Sequence, residues 1–262
     1  MKIIGIIGGG NMGSAIFSRI QKKFKIIVCE QDEKRATELR KKFKVSLQDL
    51  PSLIEASDII LIAVKPQDVD AVVLTMKNAG VKNKLVISIA AGITTAYLEK
   101  YLGKEARVIR TMPNMPAMIG EAMTAIAKGR HAKNTDVSVA LKIFDEIGKT
   151  IIVGEQWINA TTAVSGSGPA YVFLFAECLM KSAQALGLDS KTSETLVKQT
   201  LIGSVHLLDK DKDDAATLRA KVTSKGGTTQ AAMDVFTNYN IEKIFQEALT
   251  AARNRARELS RG

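Results

Sequence analysis

A glycine-rich segment near the start of the chain constrains the fold more than any other feature. Gly8, Gly10 and Gly13 have the spacing G-x-G-x-x-G, and they lie between an apolar run at residues 3–7 and an amphipathic stretch at residues 12–22. A strand, a glycine turn and a helix in this order are typical of the phosphate-binding turn of dinucleotide-binding α/β folds. The first glycine permits the tight turn, the second lets the backbone approach a pyrophosphate, and the third allows close helix–strand packing. Asn11 and Met12 then open the helix beside the phosphates.

Short apolar runs alternate with helical segments up to about residue 158. The runs are residues 3–7, 26–29, 59–64, 85–89, 108–111, 123–127 and 151–153, and the helices between them are predicted at 12–22, 33–43, 69–78 and 137–147. Beyond that point only helices are predicted, at 170–186, 193–208, 214–221, after Gly227 and at 241–259. The pattern predicts an α/β fold: an N-terminal Rossmann-type dinucleotide-binding domain at 1–158, with a mostly parallel sheet, followed by an all-α domain at 159–262.

Charge and composition restrict the ligands, partners and cellular location that we expect for this chain. Residues 1–158 carry 24 Lys and Arg against 16 Asp and Glu, whereas the rest carries 13 against 11, which suits an anionic ligand in the first domain. The basic residues are dispersed, so we expect no nucleic-acid partner. We see no apolar stretch of about 20 residues and no signal peptide, so we expect a cytoplasmic protein with no membrane partner. Two cysteines and two histidines, far apart in sequence, give no metal site.

Glu30 is the candidate for choosing between the two nicotinamide cofactors. It follows the second apolar run, 22 residues beyond Gly8, where an acid binds the adenosine ribose of NAD and repels the 2′-phosphate of NADP. Lys34 and Arg35 lie close behind and could meet a 2′-phosphate instead, and a surface acid is the plain alternative. The position leans to NADH and leaves NADPH open.

Three further segments stand at the ends of predicted strands, where doubly wound folds bind ligands. They are Val64-Lys65-Pro66, the small residues Ala90-Ala91-Gly92 and the rigid segment at 110–116, which contains Asn114. Taken singly, each is equally well explained as a turn, a tight packing contact or a rigid surface connection. In the second domain, the hydroxyl- and glycine-rich residues 222–229 precede a helix and offer N–H and hydroxyl donors to a small carboxylate. An N-capped loop is the alternative there.

Together these segments resemble the pyrroline-5-carboxylate reductase family over essentially the whole chain. The similarity lies in residues 8–13, 64–67, 90–93, 110–116, 163–170 and 222–229, in the family's order. There are three departures: Lys225, where the family usually has proline; residues 213–215, where a His-Pro pair is common; and Glu30, since many members prefer NADPH.

The resemblance implies an enzyme that reduces 1-pyrroline-5-carboxylate, a cyclic imino acid, to L-proline with NADPH or NADH, the last step of proline biosynthesis. Water can protonate a cyclic imine beforehand, so no strong general acid is required. By resemblance, the substrate carboxylate is held by a segment at a helix start, and Thr229 is the residue expected to contact the ring nitrogen. The expected substrate-binding residues are Ser224, Gly226, Gly227, Thr228 and Thr229.

The predicted helix at 170–186 is apolar on nearly every face, so we expect it to be buried nearly all round. A domain of this size has little interior to surround it, which predicts at least a homodimer formed through the all-α domain. The resemblance implies the same, since the family forms dimers through C-terminal helices, and some members build pentamers of dimers.

Two alternative functions remain open from sequence. A β-hydroxyacid dehydrogenase-like enzyme would need a lysine soon after a glycine-rich segment, but the first lysine after Gly168 is Lys181. A non-catalytic NAD(P)-binding regulator would bind cofactor without reducing an imine, and only a turnover assay separates it from an enzyme.

Overall fold

The computed structural model describes residues 2–103 and 106–260, and within these the chain divides into two compact units. The first unit comprises residues 2–169 with 251–260, and the second comprises residues 170–250. The domain boundary expected after residue 158 lies earlier than this division, and the end of the last helix belongs to the first unit. Met1, residues 104–105 and residues 261–262 of the expected domains lie outside the described residues.

The first unit is built on an eight-stranded sheet, as the alternating apolar runs predict. Its strands are β1 (Ile3–Ile7), β2 (Lys25–Cys29), β3 (Ser46–Leu47), β4 (Ile59–Ile62), β5 (Leu85–Ser88), β6 (Arg107–Met112), β7 (Ala122–Lys128) and β8 (Gly148–Ile152). They lie in the order β3-β2-β1-β4-β5-β6-β7-β8. Only the β6–β7 pair is antiparallel among these neighbours, which confirms a mostly parallel sheet.

Helices cover the sheet and continue through the second unit. They are α1 (Asn11–Ile20), α2 (Glu33–Phe43), α3 (Leu50–Ala56), α4 (Val69–Ala79), α5 (Thr95–Leu102), α6 (Asn134–Phe144), α7 (Ile158–Thr161), α8 (Gly168–Ala185), α9 (Ser190–Lys210), α10 (Ala215–Lys221), α11 (Thr228–Asn238) and α12 (Ile241–Glu258). A single turn of π-helix, Thr162–Gly166, follows α7. Every helix expected from sequence is present, whereas α3, α5 and the four-residue α7 are not among those expected.

The sheet separates two apolar cores because successive strand residues point to opposite faces. Ile4 and Ile6 of β1 pack with Phe17 of α1 in one core, while Ile7 packs with Val73 of α4 in the other. Burial on both faces is what the near-continuous apolar strands predict for parallel strands. The two layers of helices hold the carboxyl ends of the central strands at one edge of the sheet, where the glycine-rich turn follows β1.

The helix expected to be buried nearly all round, α8, has no buried residue in the single chain. Phe173 and Leu174 are 58% and 59% exposed, so the expectation is wrong for the isolated subunit. Within the described residues, the helical stretch Glu155–Ala185 is also long and apolar enough to span a membrane by length and composition. The expectation that no such stretch exists is therefore wrong by that measure. Only 6% of its apolar window is buried in the chain.

Candidate active site

The three glycines of the turn after β1 have different local surroundings. Gly8 has φ +102°, and a Cβ built on it would lie 2.7 Å from the Ala63 carbonyl oxygen. A Cβ on Gly13 would lie 2.1 Å from the Gly8 carbonyl oxygen. Gly10 has an ordinary φ of −63°, and a Cβ there would approach only the tip of Arg35, at 3.4 Å. Gly8 and Gly13 are thus required by packing, whereas Gly10 leaves free space above the first turn of α1.

That space is part of a cleft of about 960 Å³ at the carboxyl edge of the sheet. Most of the sequence-predicted cofactor residues line it, namely Gly8, Gly10, Asn11, Met12, Glu30, Val64, Lys65, Pro66, Ala90 and Ala91. Three predicted residues, Gly13, Gly92 and Asn114, do not line it. The cleft therefore brings together the ends of β1, β2, β4 and β5.

Glu30 is fixed by two backbone groups beside the glycine turn. Its Oε2 accepts a hydrogen bond from the Gly9 N–H at 2.8 Å, and its Oε1 accepts one from the Asp32 N–H at 3.0 Å. A carboxylate has about four acceptor positions, so two remain for a ligand hydroxyl. Arg35 also lines this end of the cleft. One end of the cleft thus presents both a carboxylate and a guanidinium.

Several cleft residues carry no signal that sequence reasoning used. Gln31 follows Glu30, and Ala71 and Thr75 lie one helical turn apart on the same face of α4. Cys29 also lines the cleft. Burial raises the pKa of the Cys29 thiol, and the nearby carboxylates of Glu30 and Asp49 raise it further. The Cys29 thiol is therefore neutral and weakly nucleophilic at neutral pH, and it forms part of the wall of the cleft.

Asn114 and Gly92 have identifiable structural contacts outside the cleft lining. The Asn114 side chain donates to the Ser165 carbonyl oxygen at 3.0 Å and accepts from the Met123 N–H at 2.9 Å. Gly92 has φ +76°, and a Cβ on it would lie 2.4 Å from the Leu259 carbonyl oxygen. Their expected contact with a cofactor stays a prediction.

The predicted substrate segment lies in the second unit, where it connects α10 to α11. Gly226 has φ +72°, and the Gly227 N–H donates to the Ser224 carbonyl oxygen at 3.0 Å, which closes a tight turn. Gly227 then caps α11 without a side-chain hydrogen bond. The first-turn N–H groups, next to Thr228 and Thr229, are thus not capped by a side chain. Of the departures from the family pattern, Asp214 caps α10 through the Thr217 N–H and Lys225 is exposed.

Comparison with known proteins identifies both parts of the chain. Residues 155–259 match the family model described as pyrroline-5-carboxylate reductase dimerisation. Residues 3–92 match the model described as NADP oxidoreductase, coenzyme F420-dependent. A pyrroline-5-carboxylate reductase of Synechocystis is 37% identical over 98% of this chain and 98% of its own length.

The chain belongs to the pyrroline-5-carboxylate reductase family. A solved pyrroline-5-carboxylate reductase of Coxiella burnetii superposes with a TM-score of 0.92 at 35% identity, covering 100% of this chain and 99% of that one. The Plasmodium falciparum pyrroline carboxylate reductase, solved with NADP bound, gives 0.90 at 28% identity and covers 99% and 98%. The α/β fold with an N-terminal Rossmann-type domain and a C-terminal helical dimerisation domain is thereby confirmed. The dimerisation domain marks this family member as a homo-oligomer.

The residues of this reductase-family cleft fit a nicotinamide dinucleotide. The open space above Gly10, at the start of α1, lets backbone approach a pyrophosphate, and unpaired N–H groups of the helix start face anions favourably. Ala90 and Ala91 supply small side chains at the opposite end of the cleft, which leaves room for a flat ring. Among the described residues, no cluster of His, Cys, Asp and Glu could hold a metal ion.

Proposed function

We propose that this protein reduces 1-pyrroline-5-carboxylate to L-proline with NADPH or NADH, the last step of proline biosynthesis. The observation that carries the proposal is similarity to pyrroline-5-carboxylate reductases over nearly the whole chain, combined with a glycine-turn cleft of the matching fold. The first domain, residues 1–158, binds the dinucleotide, and the second, residues 159–262, binds substrate and forms the dimer.

In this proposal the cofactor lies along the cleft at the carboxyl edge of the sheet. Gly8, Gly10 and Gly13, with Asn11 and Met12, form the pyrophosphate turn, and Glu30 faces the adenosine ribose. Val64, Lys65 and Pro66 form one side of the nicotinamide end, and Ala90, Ala91, Gly92 and Asn114 form the other. The lining of the cleft supports most of these assignments, whereas Gly13, Gly92 and Asn114 act through packing and hydrogen bonds.

We assign the substrate carboxylate to Ser224, Gly226, Gly227, Thr228 and Thr229 at the start of α11. The turn exposes N–H groups at the positive end of the helix dipole, and no side chain caps them. Thr229, which is partly buried, is the residue assigned to the ring nitrogen. Its hydroxyl would orient the imine for attack rather than supply its proton.

The reaction needs little acid–base chemistry from the protein. A bound nicotinamide supplies a hydride from its C4 to the imine carbon, and the ring nitrogen carries a proton when the new C–H bond forms. The chain contributes mainly by holding the two reactants in the correct relative position. For a bimolecular step, such positioning removes a large share of the activation barrier. The chain has only two histidines, which agrees with a reaction that needs little acid–base catalysis from the protein.

The structure gives no support to the dehydrogenase alternative. The first lysine after the glycine-rich segment, Lys181, is exposed and donates to Glu177 at 2.5 Å on the same helix. The hydrogen bond from Lys181 to the Glu177 carboxylate raises the pKa of Lys181 above its usual value. A catalytic lysine that must exchange a proton near neutral pH needs the opposite shift.

The direct test is a spectrophotometric assay of imine reduction with NADPH and NADH in parallel, with proline identified as product. The Thr229→Val variant should lose activity by about tenfold to a hundredfold, because the reactants lose one orienting contact. Thr229→Ser should retain most of it. The matched control is Thr237→Val, farther along α11, whose hydroxyl donates to the Met233 carbonyl oxygen of the same helix. Cofactor binding by the wild type without imine reduction would instead favour the regulator.

We further propose that the protein is a cytoplasmic homodimer, or a pentamer of such dimers, with no membrane or nucleic-acid partner. The exposed apolar faces of α8 and α12 lie within the residues that match the dimerisation model. Sedimentation at low micromolar protein, without detergent, should give a dimer or decamer. A monomer with full reductase activity would refute this assembly.

A further inference from the structure

The loop that forms the small-residue end of the cleft is held from outside by the end of the last helix. Residues 90–92 follow β5, and the Leu259 backbone lies directly against Gly92, with its carbonyl oxygen 2.4 Å and its carbonyl carbon 2.9 Å from the position of a Cβ. Gly92 also has φ +76°, which a residue with a side chain would adopt only with strain. The loop and residue 259 are thus packed backbone to backbone.

The other side of the loop is held by a buried polar network. Arg110, which is 3% exposed, donates to Glu155 Oε1 at 2.9 Å. The same oxygen accepts from the Thr95 N–H at 3.2 Å, at the first turn of α5 just beyond the loop. The Glu155 carboxylate therefore connects the end of β6 to the helix that the loop enters.

Asn159 links this network to the end of the last helix. Its Oδ1 lies 3.5 Å from Arg110 Nη2 and accepts from the Ser260 hydroxyl at 3.2 Å. The single proton of the Ser260 hydroxyl is shared in a three-centre contact with the Ala256 carbonyl oxygen, which lies 2.8 Å from Ser260 Oγ. Arg110 approaches Asn159 on its oxygen, which fixes the orientation of the amide. Residues distant in sequence thus converge behind one three-residue loop.

We propose that Ser260 and Asn159 are positioning residues that hold the loop at residues 90–92 at the angle required by the nicotinamide ring. The expected effect on turnover rests on the proposed function, whereas the expected effect on the conformation of the loop does not. With the Ser260–Asn159 link broken, residue 259 moves away from Gly92 and the loop samples more conformations. The bulk of the dinucleotide still binds, because the glycine turn and Glu30 are untouched. Alignment of the hydride donor is lost instead.

The first experiment uses the full-length protein without cofactor. Hydrogen exchange of peptides covering residues 86–98 is compared in wild type, Ser260→Ala, Asn159→Ala and the double variant. We expect exchange to rise about threefold or more in each variant, because local opening of the loop becomes easier. The double variant should match Asn159→Ala, because that single change already removes the contact with Ser260 together with the contact to Arg110. The control, Ser138→Ala, loses a similar hydroxyl-to-carbonyl bond on the exposed face of α6 and should leave these peptides unchanged.

The second experiment separates chemistry from binding. We expect kcat of Ser260→Ala to fall about tenfold, whereas the Kd for NADPH stays within about twofold. A primary isotope effect with C4-deuterated NADPH should rise as hydride transfer becomes rate-limiting. Ser260→Thr, which keeps the hydroxyl, should restore the wild-type values.

The outcomes separate the two levels of the argument. If wild type does not reduce the imine, the proposed function fails, while exchange and NADPH affinity still decide whether the loop is held by Ser260. If wild type is active and Ser260→Ala exchanges and turns over normally, the positioning role is refuted. An equal loss in kcat and in NADPH affinity would also refute it, because it would indicate a general structural role.

Discussion

Substitution of Gly13 and Gly10 by alanine should separate packing from ligand binding in the same turn. Alanine inside a helix is normally favoured over glycine by about 1 kcal/mol. At Gly13 the added Cβ would lie 2.1 Å from the Gly8 carbonyl oxygen, a backbone atom that cannot rotate away. Overpacking costs about 1–3 kcal/mol in a well-packed core, and this contact is short enough for the upper end. We expect a net loss of about 2 kcal/mol in the free energy of unfolding.

At Gly10 the same change should affect the ligand instead of the fold. The backbone there has φ −63°, and the nearest atom to the added Cβ is the mobile tip of Arg35 at 3.4 Å. Loss of a good N-cap residue and reduced freedom of the unfolded chain partly cancel, so stability should change by less than about 1 kcal/mol. The new methyl group occupies cleft space needed by a pyrophosphate. Affinity for NADPH should fall about tenfold to a hundredfold.

Urea unfolding and cofactor titration of both variants test the pair. For a unit of this size, a loss of about 2 kcal/mol lowers Tm by about 4–8 °C, which thermal scans can check. The reasoning is refuted if Gly13→Ala is as stable as wild type. It is equally refuted if Gly10→Ala binds NADPH normally, since the pyrophosphate would then lie elsewhere.

Three further predictions concern the charged and ionisable groups Glu30, Arg110 and Cys29. Glu30→Ser should raise the NADPH-to-NADH ratio of kcat/KM by removing a carboxylate near the 2′-phosphate, and Glu30→Gln, which keeps an acceptor for the Gly9 N–H, should do the same if charge is the cause. An unchanged ratio would make Glu30 a structural acid. Arg110→Met should lower the free energy of unfolding by about 2 kcal/mol, because the partly buried Glu155 carboxylate loses its cationic partner but keeps the Thr95 N–H. Glu155→Gln should cost less, and urea unfolding measures both. The raised pKa of the Cys29 thiol reduces its thiolate fraction at any given pH, so iodoacetamide should alkylate Cys29 more slowly at pH 8 than it alkylates a free thiol. Mass spectrometry of the treated protein measures this rate, and rapid labelling would contradict the prediction.

The sheet could be predicted from sequence because each strand is an apolar run long enough to show its pattern. The same reasoning missed β3 and α3, which have two and seven residues. Segments this short contain too few turns or alternations for a period to be visible. Helix α5 was missed for a related reason, although Thr94 caps it through the Tyr97 N–H. A capping signal alone, without a long amphipathic stretch behind it, was not sufficient.

Some features of the candidate site depend on local sequence and could be predicted, whereas others depend on contacts between residues that are distant in sequence. The glycine turn is a local structure, so its spacing and position predicted its place in the fold. The contact between Gly92 and Leu259, and the link from Ser260 to Asn159, join parts of the chain that are far apart in sequence. No periodicity or motif encodes such a pairing, because it depends on where the last helix ends on the folded unit. Arg110 is a clear case, because neither the burial of its side chain nor its ion pair with Glu155 can be predicted without the fold.

The apolar stretch Glu155–Ala185 has the composition of a membrane helix, but its local structure argues for a protein partner. It is not one continuous α-helix: a four-residue helix and a turn of π-helix precede α8. Helix α8 also carries the Glu177–Lys181 ion pair on its exposed surface, and charged side chains within a membrane-spanning helix are costly. An apolar helix with a charged pair on one side is better matched by a second protein surface, which can cover the phenylalanines and leave the pair in water. The match of residues 155–259 to a dimerisation model supplies such a surface.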